Sequence, residues 1–279
     1  MYPLAVDDLL GLKLLAVVLV FGAGMLGGLL PWRAAGTPKS ETYLGRGNAF
    51  AGGVLLAAGL IHLLGDAAGG FASLWPTVDY PWAFTTAAAA FLVILGIERV
   101  LPSVSRVPAG SAALGSDPES DTIVQAAEES NRYPYLLLLT LSIHSIIAGM
   151  ALGAQSSVAG FLVIVLAIVA HKSAAGFALG VSLHRVGTER SRARALVTGF
   201  SVMTPLGIVL GTSIAAILDS TGEQLFEALF DAIAAGTFLY IASLDILREE
   251  FLPPRDDRRI RWIWAAIGIT LMAVVAIWV

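Results

Sequence analysis

Residues 144–153 read HSIIAGMALG and residues 171–180 read HKSAAGFALG, one pattern written twice with its histidines 27 residues apart. Each copy lies inside an apolar run long enough to cross a hydrocarbon core of roughly 30 Å as a helix. The link between the two runs, near 155–159, is very short, so the helices must be antiparallel neighbours. His144 then lies about 15 Å into its helix and His171 about 20 Å into the next, from opposite sides. Both histidines come to rest near the membrane midplane. A repeat on antiparallel helices implies a pseudo-two-fold axis in the membrane plane, with a binding site at the repeat interface. The glycines of the repeat, Gly149 with Gly153 and Gly176 with Gly180, form Gly-x3-Gly faces. Such faces serve close helix packing, either inside one chain or between the copies of a homodimer. Packing accounts for the glycines, not for two histidines and Lys172 at depth. Ionisable groups inside a membrane are costly and mark ligands or pathways; the alternative for the histidines is hydrogen-bonded attachment between helices.

The rest of the chain agrees with a membrane setting. Of its 279 residues 57% are hydrophobic and 14% charged, and its mean hydropathy is +0.79. Soluble domains are about 45–50% apolar and about 25% charged. With no cysteine, disulfides, thiolate ligands and a thiol nucleophile are excluded. The apolar runs predict eight spans near 9–31, 49–69, 81–101, 134–155, 158–184, 195–217, 224–247 and 260–279. They are continuous and do not alternate, which argues against a membrane barrel. The expected fold is an all-α integral membrane protein, a single transmembrane domain over residues 1–279. The acids Asp7 and Asp8 ahead of the first run give no sign of a cleavable leader.

Orientation follows from the basic residues. Arg33, Lys39 and Arg46 follow the first span, Arg99, Arg106 and Arg132 the third, and Arg185, Arg190, Arg192 and Arg194 the fifth. Arg248, Arg255, Arg258, Arg259 and Arg261 follow the seventh, while the other connections have none. Apart from Arg99 and Arg261 at span ends, only Lys13 and Lys172 fall within spans. These connections are expected in the cytoplasm and both termini outside it, in a multi-pass protein of the plasma membrane, the inner membrane in a bacterium. The outer side carries Asp66, Asp79, Asp219 and Glu223 with no basic residue, either a cation-concentrating rim or ordinary solvated loop acids. Residues 102–133 form the one long loop, expected as a cytoplasmic linker with an amphipathic helix near Thr122–Ser130. The tryptophans, Trp278 among them, sit near span ends as interfacial anchors do.

Along nearly its whole length the sequence resembles the ZIP family of zinc and iron transporters. The stretch GLIHLLGDA, with His62 and Asp66, is similar to the family's second-helix element, and the third helix ends in a matching Glu98-Arg99. HSIIAGMALGAQ resembles the fourth-helix signature His-Ser-x-x-Glu-Gly-x-Ala-x-Gly, and HKSAAGFALG the fifth-helix form that begins His-Lys. TPLGIVLG at 204–211 and GTFLYIASLDILREEF at 236–251 look like the sixth and seventh helices. The resemblance implies eight helices with both termini outside, arranged as inverted repeats of three around a central pair (3+2+3). It also implies passage of divalent metal ions into the cytoplasm through a midplane site on helices four and five. By matching position, His144, Ser145 and His171 stand at ligand positions, and Lys172 stands where many members have a second-site carboxylate. Ala148 and Ala175 stand where glutamates are common, and here both glutamates are missing.

A histidine and a glutamate at i and i+4 share a helix face and can chelate one ion. Without the glutamates, two imidazoles and the Ser145 hydroxyl make a neutral, weak set, whereas zinc commonly takes four ligands. His62 is the first candidate to add to them and Asp66 the second. Asp245, Glu249 and Glu250, nearer the cytoplasmic end of the seventh helix, suit an exit path or a solvated acid cluster. Three readings follow. The first is a transporter of divalent transition metals (zinc foremost, then iron, manganese or cadmium) with a single-ion site in which Lys172 supplies the charge that a second metal gives elsewhere. The second keeps the fold but binds or senses metal, or carries a different cargo. The third, a membrane enzyme, has no Ser/His/Asp or HExxH-type spacing behind it. The expected partners are metal ions and the lipid bilayer, with no resident cofactor and no nucleic acid.

Overall fold

The computed structural model describes residues 6–34, 39–100, 118–155, 157–214, 217, 220–252 and 257–277. Among them every regular element is helical. Eight helices follow in chain order, as the apolar runs predict. They are α1 (Val6–Ala34), α2 (Ser40–Ala57, continuing through a π turn at Ala58–Leu63 to Leu64–Leu74) and α3 (Trp82–Arg99). Next come α4 (Pro118–Ala154), α5 (Val158–Arg185) and α6 (Arg190–Ile214). The chain closes with α7 (Ser220–Tyr240, continuing through a π turn at Ile241–Leu247 to Arg248–Phe251) and α8 (Arg258–Val275). Six of the eight are long and apolar enough to cross a membrane, and Trp82–Glu98 is a shorter apolar helix. The chain is a multi-pass membrane protein.

Helix α4 starts earlier than the apolar run does. It begins at Pro118 and runs without a break through Pro134, so residues 118–133 of the expected linker are helical. A proline at the first helical position and acids in the first turn, here Glu119 and Asp121, both suit a helix N-terminus. Residues 102–117, Asp219 and Trp278, which the sequence reading also placed, lie outside the described residues. Helix α5 has clear local signals at both ends. The Ser157 hydroxyl accepts from the Gly160 amide at its start, and Gly187 closes it at a φ of 69°, a conformation that glycine adopts without a Cβ penalty.

The eight helices pack as two groups of four. Helices α1, α4, α5 and α6 make one, and α2, α3, α7 and α8 the other. Inside each group backbone meets backbone at glycine. A Cβ on Gly27 of α1 would collide with the Ser173 carbonyl of α5, and one on Gly207 of α6 with the Ile146 carbonyl of α4. Gly176 and Gly180 pack on Gly24 and Gly28, while Gly149 and Gly153 pack on Thr204, Gly207 and Ile208. The pair α1–α5 is therefore reproduced by α6–α4. In the second group Gly53 and Gly268 bring α2 onto α8, as Gly236 brings α7 onto α3. This is the inverted repeat of three helices around a central pair, and the Gly-x3-Gly faces are used inside the chain. Where the two groups meet, the seam is made by side chains; Phe177 of α5, for example, lies against Gly47 of α2.

The basic ends of α1, α2, α5, α6, α7 and α8 gather on one face. Arg185 pairs with Glu41, Glu249 and Glu250, Arg46 with Asp257, and Arg190 donates to the Trp32 carbonyl. On the opposite face Phe71, Trp75, Tyr80 and Trp82 form a chain of ring contacts, the aromatic composition of an interfacial belt. There Lys13 donates to the Gly153 carbonyl at 2.6 Å, satisfying the negative end of the α4 dipole.

Candidate functional site

Helices α4 and α5 bring His144 and His171 together, with ring centroids 5.5 Å apart and both side chains buried. Five residues separate each histidine from the first glycine of its seam, about 140° around the helix axis. The glycines accordingly face α6 and α1 while the histidines face α7. There the fully buried Phe238 places its ring centroid 3.9 Å from that of His144 and 5.8 Å from that of His171. The pair is capped by this phenyl ring. Both ring nitrogens of His144 lack a hydrogen-bond partner, although an unpaired buried polar group costs about 1–3 kcal/mol. A chain that keeps such a group normally has a use for it, and an ion or ordered water is the usual complement.

Ser145 and Lys172, the neighbours of the two histidines, are engaged with each other. The Lys172 ammonium donates to the Ser145 hydroxyl at 2.8 Å and to the Phe200 carbonyl of α6 at 3.0 Å. It also lies 3.6 Å from the centroid of the Phe200 ring, and Ser145 in turn donates to Leu141. A hydroxyl, a carbonyl and an aromatic face solvate this ammonium, and no carboxylate stands among them. The positions where glutamates were looked for are apolar. Ala148 packs with Ala16, Leu152, Phe161 and Ile208, and Ala175 belongs to the main core with Leu179 and Val197.

His62 lies in the π turn of α2, buried, with its Nδ1 2.8 Å from Asp66 Oδ2. A π turn carries one extra residue and recurs at functional positions. Gly59 of the same turn lies close to the Ala235 carbonyl and the Phe238 Cβ, so the helix segment that presents the capping phenyl ring to the histidine pair also packs against the His62 turn. Among the described residues no three histidine or carboxylate side chains converge as a metal cluster. The structure thus presents two pairs, His144–His171 and His62–Asp66, with Phe238 packed between their helices.

Two of the acids expected on an exit path, Glu249 and Glu250, are drawn into ion pairs. Asp245 is buried in the π turn of α7. Glu250, fully buried, accepts from Asn48 at 2.8 Å, from Arg185 at 2.7 Å and from Arg261. Glu249 pairs with Arg185 at 3.0 Å. Nearby, Asp257 is bonded by Arg261 and Arg46. Partial burial raises its carboxyl pKa, but the hydrogen bonds and charges of these two arginines outweigh that and hold it below the usual aspartate range. Phe238, Phe200 and the partners of Glu250 escaped the sequence reading. A phenylalanine in an apolar helix carries no signal of its own, but Asn48, a carboxamide at the edge of the second apolar run, is a detectable one.

A family profile described as "ZIP Zinc transporter" matches residues 10–130 and 110–276. The chain is 28% identical to mouse zinc transporter ZIP2 over 308 aligned residues, covering 98% of this chain and 99% of that protein. It is 30% identical to bovine zinc transporter ZIP1, covering 97% and 90%. To zinc transporter 11 of Arabidopsis thaliana it is 26% identical, covering 97% and 86%.

Proposed function

The chain belongs to the ZIP zinc transporter family, and from this we propose that it carries divalent transition-metal ions into the cytoplasm, with zinc as the first substrate and iron, manganese or cadmium as others. One observation carries the reading: His144 holds two unpartnered nitrogens in the protein interior, facing His171 across the pseudo-two-fold repeat. Two neutral imidazoles supply half of the four ligands that zinc commonly takes, with water completing the set. A site so sparsely furnished favours release and broad selectivity over affinity. Lys172 places a positive charge, tied to Ser145 and Phe200, where a second cation would otherwise bind, so one ion occupies the site at a time. His62 and Asp66 receive the ion on its way in, and Asp245 and Glu249 meet it on its way out. The histidines sit on one four-helix group and Phe238 on the other, so the ion reaches the pair when the groups part along their seam. The arginine-rich face is the cytoplasmic one by the positive-inside rule.

Uptake into liposomes by the purified protein, followed with an internal zinc dye and with radiolabelled iron, manganese and cadmium, tests this directly. Uptake above that of empty vesicles, lost in His144→Ala and His171→Ala, is expected. Absence of uptake for every ion across a range of pH overturns transport, and uptake unaffected by both substitutions overturns the site. Orientation is tested separately, since the chain has no cysteine. Single cysteines introduced at Thr77 and Glu189, both exposed, should react with an impermeant reagent from opposite sides of an intact cell, the first from outside.

A second reading has its own observation. Ala148 and Ala175 are packed among apolar side chains and supply no ligand of their own, which suits a protein that kept the fold and binds metal without moving it. Zinc binding that depends on His144 and His171, combined with absent uptake, would favour it.

A further inference from the structure

A crevice of about 510 Å³ opens on the seam between the two helix groups, bounded by α1 from Met25 to Arg33, by Gly47, Phe50 and Ala51 of α2, and by Ser173 to Phe177 of α5. This is the size of a single-ligand pocket, roughly 300–1,000 Å³. Its walls are apolar, and the one hydroxyl, on Ser173, is satisfied by the Ala170 carbonyl of its own helix. Its outer lip is formed by Leu26 and Leu30, at 72% and 52% exposure, so in a membrane it opens sideways to the acyl chains. It runs about 12 Å along α1. At its mouth stands Arg33, the only charged residue of the lining among the described residues. Arg190 donates to the carbonyl of Trp32, one residue from Arg33, which sets a second guanidinium at this turn. Glu41, an acid at the start of α2, is turned towards Arg185.

We propose that this crevice is a binding site for one anionic phospholipid of the leaflet next to the arginine-rich face, with an acyl chain along the apolar walls and the headgroup phosphate on Arg33. An apolar slot ending in basic residues between transmembrane helices is the form such sites take. Two arginines at one turn favour a lipid with net negative charge over a zwitterionic one. The lipid would touch α1 and α5 of one group and α2 of the other, and so would sit wherever the two groups move against each other. The inference rests on the membrane setting and the crevice, and does not depend on which ion is carried.

The test is native mass spectrometry of the full-length protein released from detergent with equal amounts of phosphatidylglycerol and phosphatidylcholine of the same chain length. The parent should retain one phosphatidylglycerol in preference. Arg33→Gln should lose about ten-fold in that retention, the value of one charge-assisted hydrogen bond, while Arg248→Gln on the same face keeps it. Leu30→Trp, which fills the crevice from an exposed position and so leaves the fold alone, should retain neither lipid. Equal retention of the two lipids by the parent, unchanged preference in Arg33→Gln, or parental lipid binding in Leu30→Trp would each overturn the proposal.

Discussion

Arg185 of α5 reaches across the seam to Glu250 of α7, Nη1 to Oε1 at 2.7 Å, and Glu250 has no exposed surface at all. Among the described residues, this is the point on the arginine-rich face where the two groups are joined through a fully buried charge. Removing one partner of a buried pair strands the other. Arg185→Gln should therefore lower stability by about 2–4 kcal/mol, less than a full stranding because Arg261 and Asn48 still hold the carboxylate. Combining it with Glu250→Gln should recover part of the loss. Thermal unfolding in detergent reads both, and additive losses would show that the pair is not coupled.

His144 is an expensive residue to keep. His144→Leu exchanges two unpartnered nitrogens for a side chain of similar breadth that needs no partner. Metal-free protein should become more stable by about 1 kcal/mol, while zinc uptake is lost. The comparison of unfolding temperature and liposome flux in the same preparation checks the opposite signs.

Restoring a carboxylate should act in the other direction. Ala148→Glu places a charge four residues from His144 in an apolar cluster, at a cost of several kcal/mol when unpaired. With zinc bound, the same group becomes a ligand beside the imidazole. The variant should be less stable than the parent without metal and should gain far more from added zinc. A zinc-dependent shift equal to that of the parent would mean that position 148 does not face the ion.

The repeat makes a packing prediction. A methyl on Gly27 or on Gly207 meets a carbonyl of the neighbouring helix, and backbone cannot step aside as a side chain can. Gly27→Ala and Gly207→Ala should each be destabilising, by about 1–3 kcal/mol, and by similar amounts. Gly22, on the same helix as Gly27 and with open space around it, should accept alanine with little change or a small gain.

The Asp257 carboxylate has its pKa lowered by Arg261 and Arg46, so its contribution is present above the ordinary aspartate value of about 3.9. It disappears as pH falls through the lower folded value. Near neutrality Asp257→Asn should lose less than about 1 kcal/mol, the scale of a solvent-screened pair. The gap between parent and variant should close below pH 4, about where the unfolded group itself takes up a proton.

The residues that carried the fold in the sequence were those with no alternative use. Apolar runs of membrane length specified eight helices, and the doubled decapeptide specified both the antiparallel pair and the pseudo-symmetry. The histidine pair was legible for the same reason, because two imidazoles at matching depth on adjacent helices have few places to go. What was not legible depends on which faces meet. Phe238 looks like any apolar residue until α7 is laid against α4. Nothing in the sequence says that Lys172 donates to Ser145, and Glu250 reads as solvated until Asn48, Arg185 and Arg261 close around it. The helix expected near Thr122–Ser130 begins at Pro118 and continues into the span; its composition is polar, so capping and propensity, not hydropathy, set its extent.

The π turn of α2 makes the location of His62 a matter of counting. An extra residue wound into a helix turns everything beyond it by about 100°. Deleting any one residue between Asn48 and Gly59 would swing the imidazole to a different neighbour while leaving every local preference intact. The segment should therefore tolerate many exchanges of letter and hardly any change of length.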